Sequence, residues 1–534
     1  MKIIAAVFCF VFAMPLMAQE DAWIFFTDKP EASFYLANPS EMLSEEALNR
    51  RANLNISVDI LDVPIHSNYV NQIENQPNIQ VLAKSKWLNA VHVRGAQSNI
   101  ESLANLSFVS EIEFANKQLN SNNRLANSNH NNAKNLEESA VQFSYGNATN
   151  QIEMLNGHLL HAEGFTGEGM IIAVIDNGFS GVNSGIAFNH LYANNQVLDT
   201  YNFVNRQTNV YSEGNHGTAV LSTIAAKLEG QFVGTAPDAN YILLVSESNS
   251  YENPLEESLW VEAAEYADSL GADVINTSLG YNTFDNPNYD YSYEDMNGET
   301  SFIARGANIA ASRGMVCVIS AGNSGNSDWQ YIATPADADD VLTIGAVNAS
   351  GNYASFSSIG PTSDGRTKPN VVAQGASAAV VLASGNLTTT NGTSLSSPII
   401  AGLVACLWQS LPTLQPSQII DLIENSASLF PNSTPQMGFG IPDFYEAKTQ
   451  GLLSSVNQII TSNEAIVYPN PTSNILNIQS AFKIVELTVY SAQGQIIEVV
   501  HHSNSIDCSK FPSGMYFLKI KNENGHETIK FLKH

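Results

Sequence analysis

Asp176, His216, Asn323 and Ser394 each stand among small residues beside an apolar run, where a reactive group can be held rigidly and still meet solvent. Asp176 follows Met170-Ile-Ile-Ala-Val-Ile175 and precedes Asn177-Gly178. A carboxylate there emerges at the C-terminal end of a strand, where open α/β sheets build their sites, although alone it reads more simply as a turn or capping aspartate. His216 lies in Gly214-Asn-His-Gly-Thr-Ala-Val-Leu-Ser-Thr-Ile-Ala-Ala226, whose small residues let a helix start close against a sheet and leave a ring nitrogen pointing outward. A satisfied structural histidine is the competing use. Ser394 lies in Asn391-Gly-Thr-Ser-Leu-Ser-Ser-Pro-Ile-Ile-Ala-Gly402, a loop running into an apolar helix. Its backbone N–H and the positive helix end would face a developing oxyanion, and simple helix capping by the three serines is the alternative. Asn323, in Met315-Val-Cys-Val-Ile-Ser-Ala-Gly-Asn-Ser-Gly325, ends a buried strand and can offer an amide N–H₂ donor, or serve only in a turn.

These four segments sit in a region that reads as one large domain. From 150 to 451, wholly apolar runs alternate with helical periodicity: Met170–Ile175, Val274–Ile275, Met315–Ile319 and Val341–Val347 are strand-like, with helices expected over Pro254–Leu270 and Phe302–Arg313, each ended by a glycine. Strands apolar on both faces belong in a buried parallel sheet, so the expected fold class is α/β, a doubly wound, mostly parallel sheet. Ahead of it, 19–115 alternates short strands and helices and reads as a small α+β unit. Residues 116–149 form a linker, and nine of the 20 residues from 116 to 135 are asparagine. Residues 464–534 carry alternating strands, Ile475–Ile478, Val485–Tyr490, Ile496–Val500, Met515–Ile520 and Thr528–Leu532, and read as a small all-β, sandwich-like module. Residues 1–18, with Lys2, the apolar run from Ile3 to Met17 and Ala18, read as a secretory signal peptide. No later apolar run is long enough to span a membrane, so none is expected in the mature chain.

The 534-residue chain is 44% hydrophobic and 14% charged, enough apolar material for ordinary cores. With 23 Lys and Arg against 51 Asp and Glu, its net charge of −28 argues against nucleic-acid or anionic-membrane partners. The charge is concentrated in 150–461, where 7 Lys and Arg face 30 Asp and Glu. Three cysteines come after the signal, Cys317, Cys406 and Cys508, too few for a disulfide scaffold; the first two lie in apolar runs and read as buried thiols.

Taken together, the four segments resemble the subtilisin family of serine peptidases over about 300 residues, with aspartate, histidine and serine in that chain order. His216 follows Asp176 by 40 residues and Ser394 follows His216 by 178. The resemblance implies a serine endopeptidase acting on proteins or peptides, with Asp176, His216 and Ser394 as triad and Asn323 in the oxyanion hole. It extends to Gly271-Ala-Asp-Val-Ile-Asn-Thr-Ser-Leu-Gly280, implicating Ser278, Leu279 and Gly280 in substrate binding, with Ala333 and Thr334 loosely aligned to the pocket floor. None of these five residues is charged, so a neutral or apolar residue is expected before the scissile bond. One departure is Ala219, where many members have a second histidine outside the triad. Trp87-Leu-Asn-Ala-Val-His-Val-Arg94, with the helix and strand expected after it, resembles the inhibitory propeptide of these enzymes. Tyr468-Pro-Asn-Pro471, Leu487–Gly494 and Pro512–Ile520 resemble the type A C-terminal sorting domain of the type IX secretion system, implying export to the surface of a Gram-negative cell or the medium. An inactive surface binding protein on the same fold is the rival reading. An α/β-hydrolase is disfavoured, because Ser394 lacks the Gly-x-Ser-x-Gly elbow and the triad order differs. No cofactor is expected for catalysis. His158 and His161 lack a third ligand for zinc, and Asp285, Asp290, Glu294, Asp295 and Glu299 offer oxygen ligands of the kind structural calcium takes, although a solvated acidic loop is the commoner use of such a stretch.

Overall fold

The structure is a computed structural model describing residues 19–120, 143–461, 465–480, 483–492, 494–522 and 525–534. The expected signal peptide and the middle of the Asn-rich linker lie outside the described residues. The chain divides into two compact units, the first running to Lys448 and the second spanning Thr449–His534.

The apolar runs of the first unit assemble into a seven-stranded sheet in the order Val371–Gln374, Leu342–Val347, Val316–Ser320, Val274–Thr277, Ile171–Asp176, Asn240–Val245, Val197–Asn202. Every neighbouring pair is parallel. Helices on both faces explain why the strands read as continuous apolar runs. In Ile171–Asp176, Ile172 and Val174 join the core that includes the helices His216–Ala225 and Thr393–Ser410, while Ile171, Ala173 and Ile175 face the helices Leu255–Leu270 and Phe302–Ser312. Each fully buried Val or Ile contributes about 1.5–3 kcal/mol, so this strand has no face to give to water. Gly271 and Gly314 end the two latter helices at φ +93°, a left-handed conformation that glycine adopts without a Cβ penalty. The strands Asn240–Val245, Val197–Asn202 and Val371–Gln374 are additions to those expected.

Chain order fixes where a site can form. After Ile171–Asp176 the chain builds Val197–Asn202 and Asn240–Val245 on one side, then crosses to Val274–Thr277 on the other. The carboxyl end of Ile171–Asp176 is therefore the topological switch point, with a crevice opening beyond it.

The N-terminal region forms a four-stranded antiparallel sheet ordered Ile79–Ser85, Ala90–Ala96, Gln19–Phe26, Val109–Phe114. Trp87, read together with the strand, lies in the turn before it. Both faces are covered. Ala22, Ile24 and Phe26 pack with residues of the helices Ser67–Glu74 and Gln97–Ser102, whereas Trp23 and Phe25 pack into the core around Leu255–Leu270 and Phe302–Ser312. Trp23 stacks on Phe302 at 4.9 Å between centroids and donates from Nε1 to Ser258 Oγ at 2.8 Å. Glu265 accepts from Ser85 Oγ, Lys86 N and Trp87 N. Arg51 bridges Asp62 and Asp268, both at 2.8 Å, and Arg50 also pairs with Asp268.

The second unit holds an antiparallel three-stranded sheet, Ile466–Tyr468, Ile475–Gln479 and Ser505–Asp507, and a four-stranded one ordered Ile496–His501, Ile484–Ser491, Gly514–Asn522, Gly525–Lys533. The two short strands Ile466–Tyr468 and Ser505–Asp507 are additions to the expected five. Cys317, Cys406 and Cys508 are all buried free thiols.

Candidate active site

Asp176 is the last residue of its strand and wholly buried. Its Oδ1 accepts from Asn177 N and from His216 Nδ1, each at 2.8 Å. His216 is the first residue of the helix His216–Ala225, which can begin this close to the strand because the next residue is glycine. A Cβ on Gly217 would fall 2.5 Å from Gly178 O and 2.9 Å from Asp176 Cβ. With Nδ1 donating to the carboxylate, Nε2 is left as the acceptor. The Asp176 carboxylate raises the His216 pKa above its ordinary 6.5, against an opposing effect of burial.

Ser394 lies in the first turn of the helix Thr393–Ser410 and is 9% exposed. Its backbone N–H has no acceptor among the described residues. Asn323 is locked beside it: Asn323 Oδ1 accepts from Thr393 N at 2.8 Å and Thr393 Oγ1 at 3.2 Å. Gly392 keeps that space open. A Cβ on it would lie 2.7 Å from Ser394 Oγ and 3.9 Å from Asn323 Nδ2. The two helix starts meet through Ala219 and Leu395, which share a small core with Ala378 and Val380. Among the described residues no hydrogen bond links His216 Nε2 to Ser394 Oγ; in substrate-free enzymes such bonds are often long and tighten only in the complex.

Ser278 does more than line a pocket. Pro398 sits inside the Ser394 helix, where its missing N–H would leave the carbonyl of residue 394 without its helical donor. Ser278 Oγ supplies that bond, donating to Ser394 O at 3.0 Å. Asn276 completes the link: its Nδ2 donates to Ser278 Oγ and its Oδ1 accepts from Ser397 Oγ, both at 3.1 Å. Asn276 is a functional residue that sequence reasoning missed, although it lies within the segment 271–280; its depth in a strand hid its role. Ser278, Leu279 and Gly280 line a cleft of about 690 Å³ together with His216, Asn323 and Ala333. Tyr281 and Thr334 hydrogen-bond to each other through their backbones, which holds the two walls together.

The arrangement can move a proton from a serine hydroxyl to an imidazole oriented by a carboxylate, and can present two N–H donors to an oxyanion. His161, considered for zinc, is buried and engaged elsewhere, with Tyr145 OH at Nδ1 and Thr235 O at Nε2. In the loop 284–299, Asp290 accepts from Phe284 N and Asp295 from Ser292 and Lys117. Among the described residues no group of three or more His, Cys, Asp or Glu could hold a metal ion.

Residues 167–450 match the subtilase family, residues 21–134 the Bacteroidota peptidase S8 propeptide domain, and residues 466–534 a secretion system C-terminal sorting domain. Subtilisin NAT of Bacillus subtilis subsp. natto is 33% identical over 303 residues, 56% of this chain and 71% of that protein. A subtilisin of Bacillus pumilus is 33% identical over 286 residues, 53% of this chain and 92% of its own. A protease structure from Pseudoalteromonas arctica aligns with a TM-score of 0.46 at 21% identity, covering 58% of this chain and all of that one. The chain thus belongs to the subtilase family and is a secreted serine endopeptidase made as a precursor.

Proposed function

We propose that Ser394 is the nucleophile, His216 its general base and then general acid, Asp176 the carboxylate that orients and stabilises the imidazolium, and Asn323 Nδ2 with Ser394 N the oxyanion donors. The observation that carries this reading is the 2.8 Å pairing of His216 Nδ1 with buried Asp176, at a helix start packed against the one that bears Ser394. His216 takes the hydroxyl proton as Ser394 Oγ adds to the scissile carbonyl. It returns that proton to the leaving amine, and an acyl-enzyme remains for water to hydrolyse.

The Ser278–Gly280 pocket, with Ala333 and Thr334, takes a neutral or apolar residue before the scissile bond. Residues 19–115 act as the chain's own inhibitor and fold against the helices Leu255–Leu270 and Phe302–Ser312 before removal. Residues 464–534 hand the protein to the type IX secretion machinery of a Gram-negative cell, for release to the surface or the medium. The test is casein digestion by wild type beside Ser394→Ala, with fluorophosphonate labelling and mass spectrometry of the termini. Labelled, casein-degrading, processed wild type and an inert, unprocessed variant are expected. Folded mature wild type that takes no label would instead be a binding protein on this fold.

A further inference from the structure

The N-terminal region grips the peptidase domain in two places, and only one of them belongs to its sheet. There, Trp23 stacks on Phe302 and the turn at 85–87 is held by Glu265. The second grip is made by residues 44–62, the helix Glu45–Asn53 and the loop after it, at the ends of the helices Leu255–Leu270 and Phe302–Ser312. Ser44 N donates to Ser269 O at 2.9 Å and Arg50 Nη1 donates to Ala272 O, so carbonyls left over at the end of the first helix find their donors in this arm. The glycines that end the two helices lie directly against it. A Cβ on Gly271 would fall 2.8 Å from Ala47 N, and one on Gly314 would fall 2.7 Å from Leu54 Cδ1. Leu54 is 3% exposed and joins the core on the other face of the sheet.

This second grip is remote from the cleft. Asp273, next to Ala272, accepts at Oδ2 from Ile171 N, the first residue of the strand whose last is Asp176. At about 3.3 Å per residue, that strand sets the arm about 16 Å from the edge that carries the candidate triad. Its chemistry is a pair of guanidiniums on a buried carboxylate. Asp268 is 0% exposed and stands in the last turn of its helix, the negative end of the dipole, with no basic residue of that helix beside it. Arg51 Nη2 donates to both of its oxygens, at 3.0 and 2.8 Å, and Arg50 pairs with it as well. Arg50, Arg51 and Lys86, the cations that act on Asp268, all belong to the N-terminal region. The arm is also tied to the first grip: Lys29 Nζ donates to Ile60 O, Val63 O and Lys86 O, at 2.6, 2.7 and 2.6 Å, joining the end of the arm to the turn that Glu265 holds.

Building on the reading of residues 19–115 as the chain's own inhibitor, we infer that residues 44–62 are a separate anchor, and that Asp268 with Ser269 O and Ala272 O is the docking site for its arginine pair, at the edge of the sheet opposite the cleft. With two grips joined through Lys29, the opening of either one is an intramolecular and reversible event. The N-terminal unit therefore stays on the peptidase domain after the linker is cut, and this anchor sets how fast it leaves.

The test uses the full precursor carrying Ser394→Ala, with a site for a sequence-specific protease inserted in the Asn-rich linker. After that cut, dilution followed by size-exclusion chromatography over time gives the rate at which the N-terminal unit leaves. Without further change the unit should stay bound. Arg51→Gln and Asp268→Asn should each speed release at least about 30-fold, the low end for truncating one partner of a buried charge pair. Arg51→Gln also frees Asp62 within the N-terminal unit, so the decisive reading is the pair: once Asp268→Asn is present, Arg51→Gln should add much less than it does alone. Leu54→Ala keeps every charge and should speed release at least about 10-fold, which keeps the test open where a charge variant does not fold. A unit lost at once from the cut precursor overturns the anchor, as do release rates that none of these variants changes, or that the two charge variants change independently. The inhibitor reading fails separately: in enzyme with Ser394 intact, a unit that remains bound after the cut while casein is degraded as fast as by the mature enzyme leaves the anchor standing and removes the inhibitor.

Discussion

Replacing Ser278 by alanine removes a donor from the Ser394 carbonyl, the one whose regular helical donor Pro398 cannot supply. In an uninterrupted helix the N–H of residue 398 would donate to Ser394 O; here that residue is Pro398, and Ser278 Oγ donates instead at 3.0 Å. The same change strands Asn276 Nδ2, which donates to Ser278 Oγ. A buried polar group left unsatisfied costs about 1–3 kcal/mol, and a loss of about 2 kcal/mol corresponds to roughly a 30-fold change in the folding equilibrium. The measurement is denaturant unfolding of precursors carrying Ser394→Ala, so that no protease degrades the sample, with Ser278→Ala and Pro398→Ala arranged as a double-mutant cycle. Pro398→Ala gives the helix back its N–H, so Ser278→Ala should cost at least about 0.5 kcal/mol less in that background, the lower end of coupling between contacting residues. In enzyme with Ser394 intact, Ser278→Ala should lower kcat more than it raises KM, because the carbonyl it releases belongs to the proposed nucleophile. An equal cost of Ser278→Ala in both backgrounds would refute the argument that the hydroxyl replaces the missing helical donor.

Asn323→Ala should lower kcat about 10²- to 10³-fold with little change in KM, read from steady-state hydrolysis of a neutral peptide; an equal change in both would mean ground-state binding rather than oxyanion stabilisation. The general base must be neutral, and Asp176 raises His216 above 6.5, so activity should rise with pH through a pKa higher than that. The same pairing contributes stability that is fully present below 6.5 and is lost as pH climbs through the higher folded value. Asp176→Asn should move the ascending limb of the kcat/KM profile to lower pH and cut kcat about 10⁴-fold; a limb that stays in place would detach the carboxylate from the imidazole. Asp268→Asn leaves Arg50 and Arg51 in a buried site without their shared carboxylate, so the precursor should lose about 3–5 kcal/mol in denaturant unfolding of the Ser394→Ala background. Burial alone would raise the Asp268 carboxyl, but the two arginines outweigh it and hold it below 3.8. That stability is therefore present above 3.8 and lost as pH falls through the lower folded value, and an acid titration in which wild type and Asp268→Asn lose stability in parallel would contradict it.

Much of this molecule was legible in one dimension because the signals are local. A strand apolar on both faces, such as Met170–Ile175, announces a buried parallel sheet wherever it sits, and its last residue must emerge at the sheet's edge. The glycines at 271 and 314 ended their helices as expected because only the local φ matters there. The reactive segments were readable for the same reason: each carries its own small residues, and Gly217 and Gly392 are needed by the side chains next to them. Only the tertiary structure decided which groups face one another across long stretches of chain. Asn276 looked like any strand residue until the Ser394 helix was laid against it, and the purpose of Ser278 appeared only beside the carbonyl that Pro398 leaves without a donor. The acidic side of the cleft lined by Ser278–Gly280 was likewise hidden. Glu247, Glu252 and Asp285 stand on two loops, and whether three carboxylates are scattered on a surface or gathered in one cleft depends on the crossing of the chain at the switch point, which no local pattern encodes.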